Sequence, residues 1–229
     1  MVYRENIINY VPLNKCGIDI GLSNLLTCVF DNGYYPIIYN GKPLKSLNQY
    51  YNKKRSKIQR ELKIKNNKFK SNRLIKLTNK RNRKVEDYLH HVTTNLVNQL
   101  VSLDISDVYI GYNLGWKQDI NIGKRNNQNF VGIPYYKLIK MIEYKCLLNG
   151  IYLHKLNESY TSKCSFIDNE PICKQKEYKG KRLKRGLFES HMGLKINADV
   201  NGAYNILRKA IPDVRWDRGC AVHPKVILL

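Results

Sequence analysis

A chain of 229 residues with 43% hydrophobic content is long enough to bury a core and reads as one domain carrying an insertion. Lys and Arg outnumber Asp and Glu by 40 to 18, a formal net charge of +22, so the expected partner is a polyanion, nucleic acid first. No apolar run reaches the length of a membrane span and the first residues lack a signal-peptide pattern, so the chain is expected to be cytoplasmic, with no membrane partner.

Residues 16–24, Cys-Gly-Ile-Asp-Ile-Gly-Leu-Ser-Asn, read as a strand entering a glycine turn. Strand alternation sends Ile18 and Ile20 to one face and Asp19 to the other. Gly17 and Gly21 clear both flanks for a close approach by backbone or ligand. Taken alone, Asp19 is equally a metal-ligating carboxylate or a solvent-facing acid on an edge strand. Residues 26–30 form a second apolar run, closed by Asp31-Asn32-Gly33, a hairpin signal. Residues 34–39 give a third strand, and Pro36 points to an edge position for it.

Composition then shifts. Between Lys53 and Lys84, Glu61 is the only acid. Ile58, Leu62, Leu74 and Leu77 at helical spacing predict two basic helices or one bent one, interrupted near Asn66-Asn67. The cations Lys53, Lys54, Arg55, Lys57, Arg60, Lys63, Lys65, Lys68, Lys70, Arg73, Lys76, Lys80, Arg81, Arg83 and Lys84 are the candidate nucleic-acid face. A solvated helical face or a disordered arm would have the same composition; the interspersed leucines favour order.

From Val85 a stripe of Val85, Tyr88, Leu89, Val92, Leu96, Leu100 and Leu103 marks an amphipathic core helix. Residues 107–111 read as a buried strand. A helix opens at Pro134 and stops at Asn149-Gly150, and residues 151–156 form a fifth strand. Glu158 lies just beyond that strand's carboxyl end, where ligands gather in parallel sheets. Asp199 opens a last helix, as a cap or as a ligand. The order predicts a layered α/β fold with a mixed five-stranded sheet. Three acids converging at one end of such a sheet suit two divalent ions, and oxygen-only ligands favour Mg²⁺ or Mn²⁺.

Three stretches carry a resemblance: Gly-Ile-Asp-Ile-Gly-Leu-Ser-Asn at 17–24, Asn-Glu-Ser-Tyr-Thr-Ser-Lys at 157–163 and Asn-Ala-Asp-Val-Asn-Gly-Ala-Tyr-Asn-Ile at 197–206. They resemble the three RuvC motifs of TnpB (OrfB) proteins, transposon-encoded relatives of type V CRISPR nucleases. Residues 111–118 and 129–134 resemble that family's stretch between its first two motifs. The resemblance implies an RNase H-like (RuvC) fold with Asp19, Glu158 and Asp199 as the catalytic, metal-binding triad. It also implies an RNA-guided DNA endonuclease, with DNA and a guide RNA as partners along the basic helices.

Two departures from the family pattern shape the expectations. The family's zinc ribbon needs two Cys-x-x-Cys pairs, whereas Cys164 and Cys173 have none, so zinc is not expected and residues 164–193 are read as a lid. His191 is too isolated to complete such a site. None of the six cysteines forms a Cys-x-x-Cys pair, and disulfides are not expected. The family also carries a sizeable region before its first RuvC motif; with Asp19 so early, the chain reads as a truncated copy or one half of a split gene, with a separate N-terminal fragment as a candidate partner.

The expected division is therefore a RuvC-like core in three parts, 1–42, 85–163 and 194–211. A basic helical insertion occupies 43–84, the degenerate zinc-ribbon lid 164–193 and a tail 212–229. Two alternatives stay open: an idle nucleic-acid-binding remnant or regulator, and a transposase joining DNA ends.

Overall fold

Alternation decides the first hairpin. In the computed structural model, which describes residues 14–112, 132–214 and 216–229, β1 (Asn14–Ile20) sends Cys16, Ile18 and Ile20 into one buried layer and Gly17 and Asp19 to the opposite face. The antiparallel β2 (Asn24–Phe30) does likewise: Leu26, Cys28 and Phe30 join the first layer, while Val29 faces the second. β3 (Ile37–Asn40) completes the meander.

The basic stretch folds as two helices. α1 (Lys42–Asn66) ends at Asn67, whose backbone turns left-handed (φ 48°). α2 (Asn72–Ser102) begins at Ser71, whose Oγ accepts the Leu74 N–H at 3.2 Å. The expected break is therefore present. The second basic helix and the stripe from Val85 are one continuous helix of 31 residues. Its first turns carry exposed cations, and its last turns bury Val85, Leu89, Val92, Leu96 and Leu100.

β4 (Ile105–Gly111), α3 (Tyr135–Leu147) and β5 (Tyr152–Leu156) follow. Residues 113–131 lie outside the described residues, and with them most of the stretches at 111–118 and 129–134. β6 (Lys181–Lys184), β7 (Leu187–Glu189) and β8 (Lys195–Asn197) build a small antiparallel sheet around Phe188 and Ile196. β8 runs directly into α4 (Ala198–Ala210). A short α5 (Arg218–Val222) and β9 (Lys225–Ile227) complete the fold.

The main sheet has the order β5-β4-β1-β2-β3-β9. β1, β4 and β5 are parallel to one another, and β1, β2 and β3 antiparallel, so the sheet is mixed as expected. Among the described residues it has six strands rather than five: β9, from the tail, pairs in parallel with β3. The reading of β3 as an edge is thereby corrected. Pro36 precedes the strand, and its carbonyl accepts the Lys225 N–H at 2.8 Å, so its missing N–H costs the ladder nothing. The tail also sets Trp216 edge-on against Phe166, with ring centroids 5.2 Å apart.

Layering follows from the two sheet faces. α2 and α3 cover one with a continuous apolar core, and α4 covers the other with Val200, Ala203, Tyr204 and Leu207. Gly17 makes the second contact close. A Cβ there would lie 2.7 Å from both the Ala203 carbonyl oxygen and the Leu207 Cβ. All six cysteines are free thiols.

Candidate metal centre and nucleic-acid face

Register places the acids. Ile18 pairs with Ile110 and Gly111 with Leu156, so Asp19, Gly111 and Leu156 stand level at the carboxyl ends of three parallel strands. Glu158 follows Leu156 by two residues. Its carboxylate lies over the end of β4, where a Cβ on Gly111 would come within 3.0 Å of Oε2. On the other side, a Cβ on Gly202 would sit 3.5 Å from the Asp19 Oδ2, so this glycine in α4 leaves room in front of the carboxylate.

Asp199 enters from the first turn of α4. It does not cap the helix. That role belongs to Asn197, whose Oδ1 accepts the N–H groups of Asp199 at 2.9 Å and Val200 at 3.3 Å. The Asp199 side chain is left for other contacts: Asn24 Nδ2 donates to its Oδ2 at 2.7 Å, and Arg182 Nη2 stands 3.6 Å from its Oδ1.

Electrostatics ties the three together. Burial first, then the negative charges of Asp199 and Glu158, push the Asp19 carboxyl well above the usual carboxylate range, and Arg182 opposes the rise. A buried carboxyl raised by two neighbouring acids is relieved by a cation, and a donor set of carboxylate oxygens suits a hard divalent ion. Among the described residues, however, no three His, Cys, Asp or Glu side chains are gathered into ligating contact. Asp199 and Glu158 both lie within electrostatic range of Asp19, with Asn24 and Arg182 holding Asp199.

Several supporting residues escaped the sequence reading. Lys209 Nζ donates to the carbonyls of Asn157 at 2.7 Å and Ser159 at 2.8 Å, pinning the loop that carries Glu158 to α4. Asn201 and Asn205, both fully buried, reach from α4 to the backbone of 161–166: Asn201 accepts the Phe166 N–H and donates to the Cys164 carbonyl, both at 2.9 Å, and Asn205 donates to Thr161 and Cys164. Buried Glu170 accepts the Ser165 and Lys179 N–H groups at 2.7 and 2.9 Å. The segment 164–193 is thus knitted by amide and carboxylate hydrogen bonds. Cys164 is buried, its thiol donating to the Pro171 carbonyl at 3.3 Å, while Cys173 is exposed. The i, i+4 spacing of Asn201 and Asn205 on an apolar helix face was the available signal.

The α1–α2 hairpin displays its cations outward. Lys53, Lys54, Arg55, Lys57, Arg60, Lys63, Lys65, Lys68, Lys70, Arg73, Lys76, Lys80, Arg83 and Lys84 are all exposed. Arg73 is paired with Glu61 at 3.1 Å across the hairpin. Arg81 departs from the expectation. It is half-buried and donates twice to Asn48 Oδ1, at 2.9 and 2.6 Å, and once to the Gly132 carbonyl, with its guanidinium over the Tyr51 ring. It braces the hairpin from within because its stem falls on the helix face turned toward α1.

Comparison with known proteins places this arrangement. Residues 10–117 match the family OrfB_IS605, described as a probable transposase, and residues 135–206 match the Cas12f1-like TNB domain. A TnpB-like protein of Acidianus two-tailed virus is 28% identical over 203 residues, covering 85% of this chain and 41% of that protein. The CRISPR-associated endodeoxyribonuclease Cas12f2 of a Micrarchaeota archaeon is 27% identical over 224 residues, covering 85% of this chain and 36% of that one. Among solved structures, Cas12f1 in complex with sgRNA and target DNA superposes with a TM-score of 0.60 at 22% identity, over 88% of this chain and 51% of that chain. The chain spans about two-fifths of the viral relative's length, and the structural likeness is one of fold, an α/β RuvC-like sheet. With the two family matches falling on either side of residues 118–134 and the relatives spanning both, the chain is similar over most of its length to TnpB-like proteins and to the related type V nucleases.

Proposed function

We propose that this chain is the RuvC-like core of an RNA-guided DNA endonuclease that hydrolyses phosphodiesters with Mg²⁺ or Mn²⁺. The observation that carries the reading is the meeting of Asp19, Glu158 and Asp199, from three separate elements, at the carboxyl ends of the parallel strands. These three carboxylates would hold the ions. When bound, the ions supply Lewis-acid stabilisation to displacement at phosphorus, so no protein nucleophile is required.

The chain's own residues position and shield. Asn24 orients Asp199, Lys209 fixes the loop bearing Glu158, and Gly202 leaves space before Asp19. The exposed lysines and arginines of α1 and α2 neutralise a nucleic-acid backbone, recognising its shape rather than its bases. The Cas12f1 relative, solved with sgRNA and target DNA, supports RNA and DNA as the two ligands.

The test is incubation of the purified chain with labelled single-stranded DNA and Mg²⁺ or Mn²⁺, beside Asp19→Ala, with and without transposon-end RNA. Cutting by the parent that Asp19→Ala abolishes, at unchanged DNA affinity, is the expected result; cutting that survives the substitution removes Asp19 from the centre. Joined rather than shortened products would turn the reading toward a strand-transferring transposase. One observation favours a second reading, a nucleic-acid-binding protein that does not cut: Arg182 stands against Asp199, and the three acids are not in ligating contact. Salt-sensitive binding by both proteins with cutting by neither would support it.

A further inference from the structure

Asp199 gives its two carboxylate oxygens to different kinds of partner. Oδ2 accepts a short hydrogen bond from the neutral amide of Asn24, at 2.7 Å. Oδ1 faces the guanidinium of Arg182 at 3.6 Å, a looser, charge-based contact in which Arg182 is 46% exposed and Asp199 26%. The same arginine also opposes the rise of the Asp19 carboxyl, so its charge is felt by two of the three acids.

Arg182 is not placed there by an independent flap. It lies on β6, which pairs with β7, and β7 pairs with β8, the strand that becomes α4. The Ala198 N–H donates to the Gly186 carbonyl at 3.2 Å, tying the β6–β7 turn to the helix that carries Asp199. Phe188 and Ile196 bury the joint, and Gly180 lets the Phe188 ring pass, since a Cβ there would lie 2.5 Å from it. Arginine and aspartate therefore belong to one hydrogen-bonded unit, in which the arginine is the more exposed side chain.

We infer that Arg182 is the resident counter-ion of the carboxylate centre, standing at Oδ1 of Asp199 until a divalent cation replaces it, while Asn24 holds Oδ2 and leaves Oδ1 as the exchangeable oxygen. The inference rests on the metal-centre reading proposed above and extends it: the chain carries its own competitor for the metal. A guanidinium 3.6 Å from one carboxylate oxygen offsets part of the negative charge gathered there.

The two contacts make opposite predictions. Mn²⁺ binding to the full 229-residue chain is followed by electron paramagnetic resonance for the parent, Arg182→Gln, Arg182→Lys, Asn24→Ala and Asp19→Asn. Removing the competing charge in Arg182→Gln tightens Mn²⁺ roughly two- to fivefold, the range of a half-exposed ion pair. Arg182→Lys stays near the parent. Asn24→Ala, which frees Asp199 to turn, weakens Mn²⁺ roughly tenfold or more. Circular dichroism melts confirm folding, and Arg182→Met provides a second charge-free variant that keeps the stem. Arg182→Gln and Arg182→Met binding Mn²⁺ no tighter than the parent, or Asn24→Ala binding it equally well, would overturn the inference while leaving the metal centre standing. A parent that binds no Mn²⁺, or an Asp19→Asn chain that binds it unchanged, would overturn the centre and the inference with it.

Discussion

At the head of α4 two polar residues two positions apart divide jobs that either could have done. Asn197 satisfies the helix's free N–H groups, which leaves Asp199 to face Asn24 and Arg182. Asn197→Ala should therefore cost about 1 kcal/mol of stability in denaturant unfolding. Asp199→Asn should change it by no more than about 0.5 kcal/mol, since it removes one of several mutually repelling charges, and yet abolish any metal-dependent cutting. From the sequence Asp199 is a candidate cap; the extended backbone of Asn197 and its hydrogen bonds give that role to the residue two positions earlier. Gly17 was more readable. A glycine beside an acid on an apolar strand announced a close approach, and α4 makes it. Gly17→Ala, forcing a Cβ to 2.7 Å from the Ala203 oxygen, should cost about 1–3 kcal/mol in the same measurement.

At the scale of elements, periodicity carried most of the fold. The alternation of β1, the apolar run of β2, the stripe from Val85 and the stop near Asn149-Gly150 each appear where the spacing puts them. What periodicity could not divide was α2. Nothing at Lys84 breaks the chain, so the basic half and the core half are one rod, and the exposed cations are mounted on an element rooted in the core. Nor does a run of cations reveal which of them turns inward; Arg81 does so because Asn48 and the Gly132 carbonyl wait on that side. Two substitutions separate these roles. Replacing Lys53, Lys54, Arg55 and Lys57 by alanine should weaken DNA binding uniformly across sequences and lower its salt slope by up to about 3.5. Arg81→Ala should leave that slope unchanged and instead destabilise the hairpin by about 2 kcal/mol, read in thermal melts.

Over the whole molecule, the part least legible was the tail. A three-residue strand has no measurable alternation, and β9 is defined only by the β3 edge that receives it. Removing residues 225–229 should reopen that edge, lowering the melting temperature and promoting aggregation detectable by light scattering. The three acids and their convergence were legible, from their local settings, the strand order and the resemblance; the contacts of Asn24 and Arg182 with Asp199 were not, because they depend on β2, β6 and α4 being packed at once. Asn24 and Asp199, hydrogen-bonded in the finished fold, are 175 residues apart in the chain. During synthesis, Asp19 and Glu158 leave the ribosome long before the helix that brings Asp199 to them. A nascent chain that has released its basic hairpin but not α4 would thus carry only part of the acidic cluster.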